Sequence, residues 1–366
     1  MTQQIFTILT INPGSTSTKI AIFDNETERF TISISHSPEE LAPYKTIADQ
    51  FSFRKTVIMD ALGEKGFDMK TLDIIVGRGG LLHPMKSGIY RVNDLMRQDL
   101  INSPVGEHAS NLGGLIAYDL AKSLDHVKAY IADPVVVDEM DDIARMTGFS
   151  MLERKSIFHA LNQKAVAREY AQKIGRKYED LNLIVAHMGG GISIGAHLEG
   201  RVVDVNNALD GEGPFTPERA GTVPVGDLIE MCFSGEYTHS QIKKMVKGEG
   251  GMVALYGTND ARAVREKAAG ADGDPRAKAV INALAYNVAK YIGAMATVLC
   301  GKVDAIILTG GMAHGEVIMN KIIEHVSFIS AVEVVPGEDE MSALALNGLL
   351  VMKGEIEVSE YLGAKA

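Results

Sequence analysis

The residues in this chain that could do chemistry sit in or beside three small-residue loops. The first, Asn12-Pro-Gly-Ser-Thr-Ser-Thr-Lys19, lies between the apolar runs 5–11 and 20–23, so it reads as strand, tight loop, strand. Gly14 lets the backbone turn and approach a ligand. Four hydroxyls, Ser15 and Ser17 among them, and Lys19 suit phosphate oxygens. The same residues would also make an ordinary hydroxyl-rich hairpin. The order of Gly and Lys is not that of a P-loop, and no helix follows. The second loop is Gly189-Gly190-Gly191, after the apolar run 183–188 and next to His187. The third is Thr309-Gly310-Gly311, at a strand-to-helix junction where phosphates can reach backbone N–H groups.

Isolated ionisable residues accompany these loops. Arg78, in Gly77-Arg78-Gly79-Gly80, ends the strand 72–76. It is either a solvated Arg in a glycine turn or a planar clamp for phosphate or carboxylate oxygens. Asp133 closes the strand 129–132. A turn Asp and a metal or catalytic carboxylate both fit that position. His159 precedes the helix 160–174, where the helix dipole favours anions; a buried His bonded to backbone fits equally.

The elements that must position these residues repeat. Strand, Gly-containing loop, strand, turn and strand occur at 5–11, 20–23 and 30–34, and again at 183–188, 192–198 and 201–205. Two copies predict a duplicated two-domain protein, with ligand loops facing a cleft where small-molecule sites tend to lie. The spacing predicts helices over 37–66, 112–123, 277–300 and 341–353, and strands over 303–308 and 331–335. In 277–300, Val280, Ile281, Leu284, Val288 and Ile292 follow a 3.6-residue period. The long Gly- and Pro-rich stretch 206–221 reads as a formed functional loop.

Composition narrows the class. The chain has 366 residues, enough for two domains at ~150 residues each. A net charge of -11 argues against sequence-independent nucleic-acid binding, which needs a basic surface. Cys232 and Cys300 have no metal or redox spacing, which favours a reducing, cytoplasmic setting. Met1-Thr-Gln-Gln has no basic leader region. No apolar run reaches the ~20 residues of a membrane span.

Taken together, NPGSTSTK, VGRGG, GEHASNLGG, ADPVVVDEM, RKSIFHALNQKAVA, AHMGGGIS, VNNALDGEGPFTPERAGT and ILTGGMAHGE resemble the butyrate kinase branch of the acetokinase family, from Ile8 to about Val351. The wider group is the actin-like ATPase superfamily. The resemblance implies an α/β fold of two ribonuclease-H-like domains with mixed sheets flanked by helices, and ATP in the cleft between them. The first domain would span 1–180, completed by a C-terminal helix at 341–366; the second would span 181–340. It implies that Asn12, Ser15, Ser17 and Lys19 form the first phosphate loop, His187 and Gly189, Gly190 and Gly191 the second, and Thr309, Gly310 and Gly311 the adenosine loop. Arg78, Asp133, His159 and His187 would be catalytic, and Asp133 and Glu340 would hold magnesium.

Two positions depart from the acetate kinase pattern. Gly190 stands where those enzymes carry Asn, and Val223 follows Gly221-Thr222 where they carry Arg, which makes Arg219 the candidate replacement in space. The implied reaction moves the γ-phosphate of ATP to butyrate or a similar short or branched acid, reversibly, giving an acyl phosphate and ADP. The resemblance also implies a homo-oligomer, a dimer or larger; the acidic charge and the lack of a long apolar run lead us to expect no nucleic-acid or membrane partner. The competing expectation is an actin-like ATPase that acts as an interaction or regulatory protein.

Overall fold

The computed structural model describes residues 4–365. Met1 to Gln3 and Ala366 lie outside the described residues, and with them most of the start on which the no-leader expectation rests. The chain divides into two compact units, Met1–Val137 with Asp339–Ala366, and Asp138–Glu338.

In the first unit β1 (Thr7–Pro13), β2 (Ser17–Asp24) and β3 (Thr27–Ser35) form an antiparallel meander. Next to β1 lies parallel β4 (Ile74–Arg78), then β6 (Lys128–Ala132), also parallel. The short β5 (Ile89–Arg91) and the two-residue strand Val358–Ser359 extend that edge. Helices cover both faces of the central strands, which is why 74–77 is an unbroken buried run. On β4, Gly77 abuts Gly113 of the helix Asn111–Lys122, whereas neighbouring Val76 abuts Gly348 of the helix Glu340–Lys353. Successive strand residues point to opposite faces, so the two helices lie on opposite sides. The closing helix stops at Lys353 rather than running to 366, because Gly354 takes a left-handed conformation (φ 69°) and the chain then adds its last strand beside β5.

The second unit repeats the plan. β7 (Asn182–Met188), β8 (Ile192–Leu198) and β9 (Arg201–Val205) form the meander, and β10 (Ala305–Gly310) and β11 (Val332–Pro336) continue parallel from β7. Strand order is β3-β2-β1-β4-β6 in the first sheet and β9-β8-β7-β10-β11 in the second. Even the register break recurs. It falls after Ile22, four residues past Thr18 (22 − 18), and after Ala196, four past Ile192 (196 − 192).

The helix Pro275–Val298 buries Leu284, Val288 and Ile292 against the β7 face that carries Ile184 and Ala186. Asp274 caps it and Pro275 starts it, which moves its beginning two residues before the expected 277. On the other face, Val166 and Ala167 of the helix Ala160–Lys173 pack with Leu183, Val185 and Ile307. The compact second unit begins at Asp138, so the stretch 138–180, expected in the first domain, belongs with the second. Between 225 and 268 lie four short helices, and the glycine-rich stretch 248–251 separates the second from the third.

Candidate active site

Parallel strands bring their C-terminal ends to one sheet edge, where ligands of open α/β sheets bind. In the first unit β1 ends at Asn12-Pro13, β4 at Arg78 and β6 just before Asp133, in matched register: Ile11 opposite Gly77, and Arg78 opposite Ala132. Three residues separated widely in sequence meet there. Arg78 Nη1 donates to Glu340 Oε2 at 3.0 Å and to Asn12 Oδ1 at 3.2 Å, and the Asn12 amide donates to the same Glu340 oxygen at 2.5 Å. Glu340 is buried and Arg78 is half-buried, so this charge-assisted set holds the guanidinium in one orientation.

Asp133, also buried, accepts from the Ser87 hydroxyl at 2.6 Å and from Gly88 N–H at 2.9 Å. Its backbone is left-handed, φ 36°, a conformation Asp tolerates better than most residues. Lys19 lies in β2 rather than in the loop, directly opposite Asn12. Ser15 is exposed at the loop tip, and Ser17 begins β2.

The second unit builds its edge from β7, β10 and β11, with His187 in register with Thr309 and Gly310 with Pro336. The imidazoles of His159 and His187 stack, centroids 3.8 Å apart and planes 13° from parallel. Each is held by side chains that the sequence reading did not single out. His187 Nδ1 meets Asn162 Oδ1 at 2.7 Å, its Nε2 faces Glu338 Oε1 at 3.2 Å, and His159 Nδ1 meets the Ser193 hydroxyl at 2.8 Å. So the His159 ring is bonded to a hydroxyl two strands away in sequence order. A third His, His197, is fully buried against Tyr178 and Gln163. Burial first, then the charges of Lys164 and Arg168, hold it well below its ordinary range.

The stretch 206–221 is ordered onto the triple glycine. Thr216 donates to the Gly190 carbonyl at 2.8 Å. The Arg219 guanidinium lies where a Gly191 Cβ would be, 2.2 Å from its Nη1, so position 191 has no room for a side chain. Arg219 Nη1 donates to the Ala208 carbonyl, and its buried Nε has no hydrogen-bond partner among the described residues. Burial holds this guanidinium below its usual value, with Glu218 opposing.

A cavity of about 670 Å³ opens over these loops. Gly189, Gly190, Gly311, Met312, Arg265 and Glu338 line it, among others. Gly310 has φ 93°, and a Cβ there would strike the Met188 carbonyl at 2.4 Å, so β10 can lie against β7 only with glycine at that point. Thr309 is buried below and donates to the Gly337 carbonyl at 3.3 Å.

Two glycine-lined strand ends on a duplicated sheet define the class as an actin-like ATPase fold. Solved structures share it: the acetate kinase of Porphyromonas gingivalis superposes with a TM-score of 0.77 at 19% identity, over 95% of this chain and all (100%) of that one. A propionate kinase of Francisella tularensis gives 0.72 at 19% identity, over 93% and 98%. The chain belongs to the acetokinase family, whose sequence profile matches residues 146–341. Among curated relatives, butyrate kinase 2 of Clostridium acetobutylicum is 56% identical over 97% of this chain and 99% of its own length. Butyrate kinase 1 of the same organism is 54% identical over 98% and 100%.

Proposed function

We propose that this protein is a carboxylate kinase of the butyrate kinase type. It moves the γ-phosphoryl group of ATP to a carboxylate oxygen of butyrate or a similar short or branched acid. The observation that carries this reading is identity above half, over nearly the whole chain, to two proteins named butyrate kinases. The competing reading, a non-metabolic actin-like ATPase, is not favoured by such relatives.

The chemistry suits the residues. The acid, with a pKa of about 4–5, is already ionised at neutral pH, so no strong general base is needed. One P–O bond to ADP breaks as one P–O bond to the carboxylate forms. ADP leaves with the electron pair, and no proton need move. The barrier is the approach of anion to anion, so catalysis is positioning and charge stabilisation. In this reading Arg78, fixed by Asn12 and Glu340, and the stacked pair His159 and His187 are the catalytic donors. Asn12, Ser15, Ser17 and Lys19, at the turn of the first hairpin and on the strands beside it, make one phosphate-binding site. Gly189, Gly190 and Gly191 form another, and Thr309, Gly310 and Gly311 form the adenosine loop, of which Gly311 lines the cavity.

Asp133 and Glu340 offer hard oxygen donors, and no group of three or more potential ligands occurs among the described residues. That donor set fits magnesium, which commonly takes one or two carboxylates plus substrate phosphates rather than a protein cage. When bound, it would neutralise phosphate charge.

No helix among the described residues is long and apolar enough to cross a membrane. Assembly as a homo-oligomer in the cytoplasm is part of the proposal. Ile143, Met146, Phe149, Met151 and Leu152 stand exposed on one excursion of the second unit, an apolar surface of the kind that marks contacts between proteins.

The test is magnesium-ATP with straight and branched carboxylates from acetate to valerate, trapping acyl phosphate with hydroxylamine. A maximum at butyrate or isobutyrate is the expected outcome. A graded series is expected, since a methylene is worth only ~1 kcal/mol. A maximum at acetate would overturn the butyrate assignment. ATP binding with no acyl phosphate from any acid would overturn the kinase reading.

A further inference from the structure

Arg54 belongs to no motif with evident chemistry. It projects from the helix Phe51–Glu64 and is fully buried, at 0% exposure. Its Nη1 donates to the carbonyls of Gly14 and Ser17, each at 2.8 Å, and to the Thr18 hydroxyl at 3.1 Å. Nη2 donates to the Ser15 carbonyl at 3.0 Å, and Nε to Gln50 at 3.0 Å. Apart from Gln50, every acceptor lies in the 12–19 loop, and every one is neutral.

A buried cation with no carboxylate is costly, so fixed dipoles must offset it. Burial holds the guanidinium below its usual value, yet not out of its charged form at neutral pH. The Thr18 hydroxyl accepts from Arg54 and contacts His36 Nε2 at 2.8 Å, which closes the shell with another neutral group.

Peptide planarity extends this to the loop's outer face. The carbonyls of Gly14 and Ser15 turn inward to Arg54. The N–H groups of Ser15 and Thr16, trans to those carbonyls, must turn the other way, and both residues are exposed. Two backbone donors then face outward above a permanent positive charge, the arrangement that stabilises an oxyanion.

We propose that Arg54 is the positioning residue of the first anion loop: its fork locks three loop carbonyls inward and so presents the Ser15 and Thr16 N–H groups to a phosphoryl group. This rests on the reading of that loop as a phosphate loop. A folding anchor that merely ties a helix to a hairpin would use the same bonds but would not govern turnover in the folded protein.

The experiment compares the full chain with Arg54→Lys and Arg54→Gln. Lys keeps the charge but lacks the planar fork. Four quantities are read: melting temperature, ADP affinity by calorimetry, kcat for acyl phosphate formation at saturating butyrate, and amide exchange of the peptide spanning 13–18. In folded variants, kcat is expected to fall about 100-fold for Gln and about 10-fold for Lys, while ADP affinity stays within about 3-fold. Loop exchange should quicken at least about tenfold in both.

Folded variants with kcat within about 3-fold of the parent, or a loss that only follows the folded fraction, would overturn the proposal. If both variants failed to fold, Gln50→Leu would decide, since it frees only Nε: kcat about 5-fold lower supports the role, and unchanged kcat with unchanged loop exchange overturns it. A parent protein that makes no acyl phosphate would instead sink the kinase reading. The exchange rates would still report whether Arg54 holds the loop.

Discussion

In the first unit the hairpin turns through four residues between the paired Pro13 and Thr18, over a buried arginine. In the second it turns through three glycines between Met188 and Ile192, beside two stacked imidazoles. Over the five strands common to both sheets, strand order, parallel additions and register break are shared. The difference teaches how a duplicated scaffold is divided in use. Paired strands tolerate little change, because a one-residue slip reverses which side chains are buried. The loop at the strand ends can change freely, so one copy carries hydroxyls over a permanent charge and the other carries bare backbone beside histidines. The anchors differ accordingly. Arg54 turns carbonyls of its loop inward, whereas Thr216 and Arg219 close on the glycines from a distant stretch of chain.

The comparison can be broken at its charged pairings first. Arg78→Ala is expected to lower kcat by at least ~100-fold, as for loss of one preorganised charge donor, with the fold retained by circular dichroism. Near-normal turnover in the folded variant would remove the Asn12, Arg78 and Glu340 set from the chemistry.

A smaller effect should separate neighbouring glycines. At Gly191 an added Cβ would meet Arg219 Nη1 at 2.2 Å and His159 Cε1 at 3.2 Å, whereas at Gly190 nothing lies within 4 Å. Gly191→Ala should lower kcat about 10-fold by displacing Arg219, whereas Gly190→Ala should stay within about 2-fold. Equal losses would mean that the loop is sensitive to backbone stiffening rather than to Arg219 and His159.

The smallest effect is on stability against pH. His197 is neutral in the folded second unit well below its ordinary value of 6.5, while the unfolded chain takes up the proton near that value. The unfolded state therefore binds more protons as pH falls, so stability is full above about 6.5 and declines below it. His36 in the first unit has the same sign, from burial first and Arg54 second, with Glu40 opposing. Denaturation at about pH 7 and about pH 5 should show that His197→Gln removes more of the acid loss than His36→Gln. The reverse order would mean that the first unit is the acid-sensitive one.

Local pattern alone determined much of this protein. Apolar runs bounded by turn residues marked β8 and β9 to the residue, and the repeated strand–loop–strand unit announced a duplication, because strand and turn chemistry act over a few neighbours. The glycine and hydroxyl loops and Arg78 stood out for the same reason. Expectation and structure part where partners are remote in sequence. The helix Ala160–Lys173 covers the second sheet, although nothing in its own residues names that partner. The strand Val358–Ser359 is too short to show a period and exists only because β5 offers it an edge. Between 225 and 268 the glycines at 248–251 marked one break, but four helices of six to nine residues are too short for a period to resolve them.

The same division runs through the site. Asn12, Arg78 and Glu340 can be singled out one by one, but their hydrogen bonds join residues 66 and 262 positions apart. Asn162, Ser193, Glu338 and Arg54 look unremarkable in the chain, since an amide, a hydroxyl, a carboxylate or a guanidinium acquires a role only from what lies next to it. Sequence specified the longer strands of both sheets and which loops carry unusual chemistry. Tertiary packing alone decided which side chains orient them, because hydrogen bonds act over about 3 Å in space and are blind to distance along the chain.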